Sequence, residues 1–236
     1  MNDRTANERG RLAGQWLLRA TILTAIFAVG LFVSAGTLRW TMGWLYVAAL
    51  YANQGIVGAI LVPGNPQLAA ERTRVDRDAA RDWDRPLTGI VSLFGPLLTL
   101  IVAGLDQRWG GTPPLPWWLQ GIGVVAGIAG LGIGTWAMAT NRYFYSFVRI
   151  EREQGHHVID TGPYRAVRHP GYAAGALYAL ATPLWLGALW AYAATAVTIT
   201  ALVIRTALED RTLRAELPGY EDYARRVQSR LLPGLW

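Results

Sequence analysis

The sequence contains no cysteine and no lysine, and these absences narrow the chemistry that it can perform. Without cysteine the chain has no disulfide, no zinc–thiolate site and no thiol nucleophile. Its three histidines show no metal-binding spacing such as HExxH, so we expect no metal site. Charged residues make up only 16% of the chain and hydrophobic residues 52%. Because the apolar residues come in long blocks, an ordinary soluble domain is excluded.

Six hydrophobic stretches are nearly long enough to cross a bilayer. About 20 residues are needed for a hydrocarbon core of about 30 Å. The stretches cover residues 20–37, 42–62, 87–105, 117–140, 172–186 and 188–204. The last two are short and share a tight Leu186-Gly187-Ala188 turn, so a tilted or partly re-entrant hairpin is an alternative to two full crossings. The pattern predicts an all-α transmembrane bundle of about six spans, forming a single membrane domain over residues 1–236.

The arginines predict the orientation of this bundle. Six spans with the N-terminus inside place 20 of the 22 arginines on the cytoplasmic side and leave only Arg39 and Arg108 outside. An excess of positive charge in cytoplasmic loops is the usual rule for membrane proteins. We therefore expect both termini on the cytoplasmic side of a bacterial or archaeal plasma membrane, with any active site facing the cytoplasm.

The fourth stretch carries glycines at regular helical spacing, Gly123, Gly127, Gly130 and Gly134. Small residues at this spacing permit close approach of two membrane helices. We expect ordinary helix packing here, with a groove that faces a cofactor as the alternative.

The first polar segment on the expected inner side, residues 65–86, mixes acids and arginines almost one for one. Such alternation is typical of a solvated, salt-bridged helix on the membrane surface. We expect no chemistry from it.

The second polar segment, residues 141–170, contains all three histidines together with tyrosines and arginines. Its Gly162-Pro163 pair breaks regular structure, and Pro170 suits the first turn of the fifth span. The following amides, of Gly171 and Tyr172, would open that helix and favour a carboxylate or hydroxyls. Although a single histidine is more typical of an ordinary interfacial residue, the combination predicts a pocket for a polar cofactor or substrate.

The final polar segment begins inside the sixth stretch. Arg205 and Glu209 are spaced i,i+4, so they share a helix face and are able to pair. An ion pair that anchors the helix end is the plain interpretation, whereas ionisable groups at membrane depth also mark functional sites. Beyond the Pro218-Gly219 break, Tyr220, Tyr223 and Val227 form one apolar face that is expected to fold back on the bundle.

Several elements between residues 141 and 236 occur together. They are Gly155-His156, Gly162-Pro163-Tyr164, the run Arg168-His169-Pro170-Gly171-Tyr172, the acidic pair Glu209-Asp210 and the tail from Glu216 to Pro233. In combination they resemble the isoprenylcysteine carboxyl methyltransferase family and, more distantly, the phospholipid N-methyltransferases. The sequence departs from the family pattern at Arg149, Ala174 and Asp210.

The resemblance implies an enzyme that uses S-adenosylmethionine as methyl donor, in a pocket closed by the C-terminal segment. Residues 1–140 would then form four N-terminal spans, and residues 141–236 the donor-binding catalytic core. The implied donor contacts are His156, His157, Val158, Ile159, Tyr164, His169, Pro170, Gly171, Tyr172 and Glu209. Glu209 would bind the methionine ammonium. Arg205 would be the catalytic residue that faces the acceptor and binds its carboxylate.

The acceptor stays open at this point: the carboxylate of an isoprenylcysteine-like compound, a thiol or an amine all suit the pattern. The expected partners are the lipid bilayer and a lipophilic or small acceptor, with no nucleic acid. One rival interpretation is a membrane reductase of the sterol-reductase type that uses NADPH. A second is a non-enzymatic membrane protein such as a transporter, although Asn53-Gln54 is the only clear mid-span polar pair.

Overall fold

The protein is an all-helical bundle, seen in a computed structural model that describes residues 2–73, 81–150 and 155–236, with side chains from residue 7 onward. Within these ranges the α-helices are α1 (Asn2–Ala35), α2 (Thr41–Gly64), α3 (Pro66–Thr73), α4 (Asp84–Gly89), α5 (Gly95–Trp109), α6 (Trp117–Thr140), α7 (Pro170–Leu186), α8 (Ala191–Glu216) and α9 (Tyr220–Arg226). Arg74, Arg77 and Arg152 of the expected inner set lie outside the described residues.

The long helices alternate in direction, so that the polar segments meet at one end of the bundle. At this site end, Asn65 after α2 donates a hydrogen bond to the carbonyl of Arg142 after α6, at 3.1 Å. At the opposite end, the amide of Leu189 donates to Thr112 Oγ1 at 2.8 Å, which joins the loops that follow α7 and α5. The chain therefore passes along the bundle six times.

In the described part of the chain, five helical segments are long and apolar enough to cross a membrane: Asn7–Ala35, Thr41–Gly64, Asp84–Trp109, Trp117–Thr140 and Ala191–Glu216. The remaining pass, α7, has 17 residues and therefore a length of about 25 Å, which is short for a bilayer core of about 30 Å. The polytopic helical fold is confirmed. The short member of the expected hairpin is α7, whereas α8 is a long helix that continues to Glu216.

The glycines of α6 serve helix packing, as the sequence predicts. A Cβ atom at Gly123 would overlap the backbone of Trp185, and one at Gly127 would lie 2.7 Å from the indole ring of Trp185. Gly130 is similarly close to the backbone of Tyr178. These contacts all lie on α7, so the glycine face allows α6 and α7 to approach closely.

The third span is interrupted at Ile90–Phe94 by a π-helical turn between α4 and α5. Proline at position 96 has no N–H to donate to the carbonyl of residue 92, and its ring would clash with that carbonyl in a regular α-helix. A local π-turn relieves this conflict, and such turns are frequent at functional sites. Here the turn forms part of a cavity wall.

The α6–α7 contact predicts an asymmetry between two glycines of the same helix. Gly123→Ala should lower the melting temperature in mild detergent, because overpacking a tight contact costs about 1–3 kcal/mol. Gly132→Ala is the matched control, since a Cβ atom there meets no neighbouring atom within 4 Å. Equal melting temperatures for both variants would contradict the packing argument.

Candidate functional site

A cavity of about 1040 Å³ lies at the site end of the bundle. Every residue that the sequence analysis assigned to donor or acceptor binding lines it: His156, His157, Val158, Ile159, Tyr164, His169, Pro170, Gly171, Tyr172, Arg205 and Glu209. Residues separated by more than 50 positions along the chain are therefore neighbours around one space. Its volume is at the upper end of the about 300–1,000 Å³ usual for small-molecule pockets.

One wall of the cavity is an aromatic loop held by Tyr143. The Tyr143 ring stacks on the His156 imidazole, with centroids 4.1 Å apart and planes inclined by 24°. The Tyr143 hydroxyl donates to the carbonyl of Gly155 at 2.9 Å and lies 3.1 Å from Nδ1 of His157. Burial, with a smaller contribution from His157, lowers the pKa of His156 to about 4. At neutral pH the wall therefore presents an uncharged imidazole.

A carboxylate, Glu209, lies opposite this loop on α8. The Tyr172 hydroxyl donates a hydrogen bond to its Oε2, and Nδ1 of His169 lies 4.0 Å from its Oε1. The His169 and Tyr172 rings stack, with their centroids 5.8 Å apart. Among the described residues that line the cavity, Glu209 is the only acid. The cavity thus has one defined position for a cationic group.

The N-terminus of α7 is less open than the sequence suggests. The amide of Tyr172 donates to the carbonyl of His169 at 3.1 Å. The Phe144 ring packs on Gly171 so closely that a Cβ atom there would lie 2.5 Å from it. The absence of a side chain at Gly171 therefore makes room for Phe144. The prediction that the amides of Gly171 and Tyr172 are both free to bind a ligand is wrong for Tyr172, whose amide is already hydrogen-bonded.

The C-terminal segment covers the cavity at the site end of the bundle, as the aromatic spacing predicts. Tyr220 and Tyr223 of α9 are buried in a cluster with Tyr164, and Val158, Ile159 and Val227 pack against that cluster. The Tyr223 hydroxyl donates to the carbonyl of Tyr164 at 2.7 Å. Burial raises the pKa of the Tyr164 hydroxyl, so the group stays protonated and neutral.

Asp210, adjacent to Glu209, points away from the cavity into a buried cluster of cations. Arg168 makes a bidentate ion pair with it, at 2.8 and 3.1 Å, and both side chains are at most 2% exposed. The Nε atoms of Arg214 and Arg230 reach its Oδ2 at 3.2 and 3.0 Å, and the Tyr220 hydroxyl donates to its Oδ1 at 3.0 Å. Asp210 therefore fixes the tail to α8 and to the start of α7.

Arg205 lines the cavity but does not pair with Glu209. Its Nε and Nη2 bind the two oxygens of Asp84 at 2.7 and 3.3 Å, and Nη2 also donates to the carbonyl of Ser146 at 2.8 Å. The guanidinium carbon lies 5.3 Å from the centroid of the Tyr172 ring. The spacing-based pairing with Glu209 is therefore wrong, because a buried carboxylate from another helix competes for the guanidinium.

The described parts of the first inner segment dock on the bundle, contrary to the expected solvated helix. Leu68 and Ala69 of α3 are buried, and Arg72 donates through Nε and Nη2 to the carbonyl of Phe144 at 3.2 and 2.9 Å. Asp84 is fully buried. A mixture of acidic and basic residues indicates that a segment as a whole is exposed to water. It does not show which single residues of the segment are buried against the bundle. Asp84 stands three residues before the apolar run that begins at Leu87, and an acid so close to a membrane span was the missed signal.

The cavity extends from this polar region into the membrane part of the bundle. There it is lined by side chains of α1 and of the third span, namely Ile22, Leu23 and Ile26, and Ser92, Leu93 and Phe94 of the π-helical turn. Ile22, Ile26 and Phe94 are exposed on the apolar outer surface. The apolar mouth, defined by these six residues, is open to the side of the bundle.

Fold and site together define an integral membrane protein with a polar pocket at one end and an apolar mouth. Residues 123–215 match the profile of the Isoprenylcysteine carboxyl methyltransferase (ICMT) family. This stretch covers the glycine face of α6, the loop of His156 and His157, α7 and most of α8, and it is the part of the chain that is similar to that family.

Two rice proteins, from Oryza sativa subsp. indica and subsp. japonica, are 35% identical over 118 residues and are named probable protein-S-isoprenylcysteine O-methyltransferase. The match covers 49% of this chain and 62% of theirs. The cobalt-zinc-cadmium resistance protein CzcN of Cupriavidus metallidurans is 30% identical over 147 residues, which is 58% of this chain and 61% of that protein. The chain thus spans less than two thirds of each relative.

The cation cluster around Asp210 predicts a large structural effect. Asp210→Ala leaves Arg168 buried without its anion, and breaking a buried pair in this way costs about 3–5 kcal/mol. We expect a lower melting temperature and faster protease cleavage after Arg225 or Arg226. Asp222→Ala, which removes an exposed partner of Arg225, is the control and should behave like the wild type. Unchanged cleavage in Asp210→Ala would contradict the anchoring role.

The depressed pKa of His156 predicts a dependence of stability on pH. Between about 6.5, the usual pKa of histidine, and about 4, the unfolded chain binds a proton at this residue and the folded protein does not. The free energy of unfolding must therefore fall as the pH drops through this window. The melting temperature of His156→Asn should fall less than that of the wild type between about pH 7 and about pH 5. If the melting temperatures of both proteins fell equally with pH, the depressed pKa of His156 would be disproved.

Proposed function

We propose that the protein is a membrane methyltransferase that transfers the methyl group of S-adenosylmethionine to a lipophilic or small anionic acceptor. The observation that carries this proposal is the single cavity, because it joins the residues implied for the donor to an apolar mouth in the membrane part of the bundle. A soluble donor and a lipophilic acceptor are thereby able to meet without either leaving its own phase.

The residues of the polar end fit the donor. A sulfonium and an ammonium are cations, and Glu209 supplies the carboxylate that such a ligand needs. The stacked rings of Tyr143 and His156 offer a flat aromatic face for a purine. His156 is uncharged at neutral pH, so it adds no repulsion to a cationic ligand. We assign donor binding to residues 141–236, with the C-terminal segment as the cover.

The charge of the cavity wall supports an anionic acceptor. Six arginines line it among the described residues, Arg19, Arg72, Arg85, Arg149, Arg168 and Arg205, against the one carboxylate of Glu209. Arg205 uses Nε and Nη2 for Asp84 and Ser146, and we assign its remaining Nη1 to a carboxylate or thiolate of the acceptor. The rice relatives are named for an isoprenylcysteine, which combines such a carboxylate with a lipid chain.

The mechanism requires mainly binding and orientation from the protein. When bound, the donor supplies an electrophilic methyl group on its sulfonium sulfur. Glu209, held by the hydrogen bond from Tyr172, fixes the amino-acid end of the donor, and the wall of Tyr143 and His156 orients the other end. Holding two reactants in the correct orientation lowers the activation free energy by about 7–11 kcal/mol in well-oriented cases. An acceptor that is already ionised needs no general base, so no acid–base pair is required.

The N-terminal half of the chain supplies the acceptor side of this scheme. The apolar mouth is formed by α1 and the third span, and both lie outside residues 123–215. Its open position on the outer surface gives a lipid chain a lateral route from the bilayer. We infer that the mouth faces the cytoplasmic half of the membrane, because the donor is a cytosolic metabolite and the arginines collect at this end of the bundle.

Glu209→Ala should weaken the binding of S-adenosylmethionine by about tenfold to about a hundredfold. The reason is that a hydrogen-bonded charge pair in a partly buried pocket contributes about 1.5–3 kcal/mol, and loss of the carboxylate also leaves the ammonium unpaired. Isothermal titration calorimetry of the purified protein in mild detergent measures the effect. Glu221→Ala removes an exposed acid that pairs with Arg214 and is expected to leave the affinity unchanged. Unaltered donor affinity in Glu209→Ala would refute the assigned site.

A thermal-shift series distinguishes the proposed donor from a nicotinamide cofactor. S-adenosylmethionine and its demethylated product should raise the melting temperature of the wild type, because a ligand that binds only the folded state stabilises it. Stabilisation by NADPH alone would replace the methyltransferase proposal with the reductase interpretation.

A further inference from the structure

Asp84 is the buried charged group of the site end to which the proposed mechanism gives no task. It is the first residue of α4 and lies outside the residues that match the family profile. Its side chain is 0% exposed and makes a buried ion pair with Arg205. It also accepts hydrogen bonds from the amide of Val148 at 2.7 Å and from the Thr88 hydroxyl at 3.2 Å.

Burial of this carboxylate is not explained by stability alone. Taking two charges out of water costs as much as their attraction returns in many proteins, so a buried pair is weak evidence for a stabilising role. A neutral asparagine of the same shape would accept from the Val148 amide through its single oxygen, and its NH2 group would donate to the Thr88 hydroxyl. The property that only a carboxylate supplies at this position is its negative charge toward Arg205.

Without that charge, Arg205 has an obvious second partner. Glu209 lies on the same helix at i,i+4, a spacing at which oppositely charged side chains pair readily. Tyr172 already contacts both residues, because its ring lies under the Arg205 guanidinium and its hydroxyl donates to Glu209. Among the described cavity-lining residues no other acid is available to Arg205.

We propose that Asp84 is a positioning residue for donor binding, which holds Arg205 away from Glu209 and so keeps the Glu209 carboxylate free for the ammonium group of S-adenosylmethionine. This inference rests on the proposed function, since it concerns the ammonium group of that donor. The N-terminal half of the chain thereby takes part in donor recognition. Asp84 of α4 pairs with Arg205 of α8 and so keeps this arginine apart from Glu209 on the same helix.

The test compares Asp84→Asn with the wild type by calorimetry, using two ligands. S-adenosylhomocysteine carries the amino-acid end of the donor, whereas 5′-methylthioadenosine lacks it and keeps the nucleoside. We expect Asp84→Asn to weaken S-adenosylhomocysteine by about tenfold or more, the effect of losing a charged hydrogen bond. Binding of 5′-methylthioadenosine should stay the same. Equal weakening of both ligands would mean a general distortion of the pocket and would overturn the inference.

The double variant Asp84→Asn/Arg205→Met tests whether removal of Arg205 restores the affinity that Asp84→Asn alone loses. With no arginine to occupy Glu209, the affinity for S-adenosylhomocysteine should return to within about threefold of the wild type, a non-additive result that a purely structural role does not produce. This variant contains no unpaired buried charge at the pair, so it tests the inference even if Asp84→Asn alone does not fold. A folded double variant that binds about tenfold more weakly would overturn it.

Asp106→Asn is the matched control. Asp106 is another buried aspartate of the third span, hydrogen-bonded to the Thr112 amide at 2.7 Å, and it does not line the cavity. Its substitution should lower the melting temperature and leave both ligand affinities unchanged. If the wild type binds neither ligand, the proposed function fails and this inference fails with it. If the wild type binds S-adenosylhomocysteine and Asp84→Asn binds it equally well, only the inference fails.

Discussion

The buried ion pair between Arg168 and Asp210 is the interaction on which the site depends. It joins the segment before α7 to the C-terminal part of α8, and Arg168 Nη1 also donates to the carbonyls of Val227 and Gln228 at 2.7 and 2.6 Å. The backbone follows the same connection, since the amides of Arg168 and His169 donate to the carbonyls of Ser229 and Arg230 at 2.9 and 3.0 Å. Because the side chains of Arg168 and Asp210 are at most 2% exposed, neither finds water as a substitute partner and each requires the other. The pocket wall, the helix and the cover are therefore one cooperative unit.

The arginines at the site end of the bundle divide into groups with different physical tasks. The exposed Arg225 pairs with Asp222 on its own helix, and surface pairs of this kind contribute little to stability. Arg72 and Arg168 bind backbone carbonyls and thereby fix the course of the connecting segments. Arg205 is held by a carboxylate from the third span while it lines the cavity. Topology explains why the arginines are on this side, but only contacts explain what each one does.

The sequence was sufficient for the features that depend on local composition. Span positions follow from hydrophobic runs, and the 117–140 span has the bounds of α6. The fold-back of Tyr220 and Tyr223 follows from helical spacing, and the glycine face of α6 from small residues at regular intervals. Each of these is a property of one segment, so one segment is enough to predict it.

Pairings between distant segments could not be predicted in this way. Arg205 and Glu209 carry the spacing of an ion pair, yet Asp84 takes Arg205 across a separation of 121 residues. Similarly, the sequence of α3 is typical of a solvated helix, whereas in the structure Arg72 donates to the carbonyl of Phe144, 72 residues away. The strength of a buried contact depends on how well both partners are desolvated. That information lies in the packing of helices and not in the spacing of residues along one of them.

The neighbouring acids of α8 show how the fold assigns opposite roles to similar residues. Asp210 accepts hydrogen bonds from Arg168, Arg214, Arg230 and Tyr220, which leaves its oxygens with little capacity for a further cation. Glu209 has one side-chain hydrogen bond, from the neutral hydroxyl of Tyr172, and faces the cavity. Since adjacent positions on a helix point about 100° apart, one acid necessarily faces the tail when the other faces the pocket. The cluster of cations around Asp210 thus also fixes the direction in which Glu209 presents its charge.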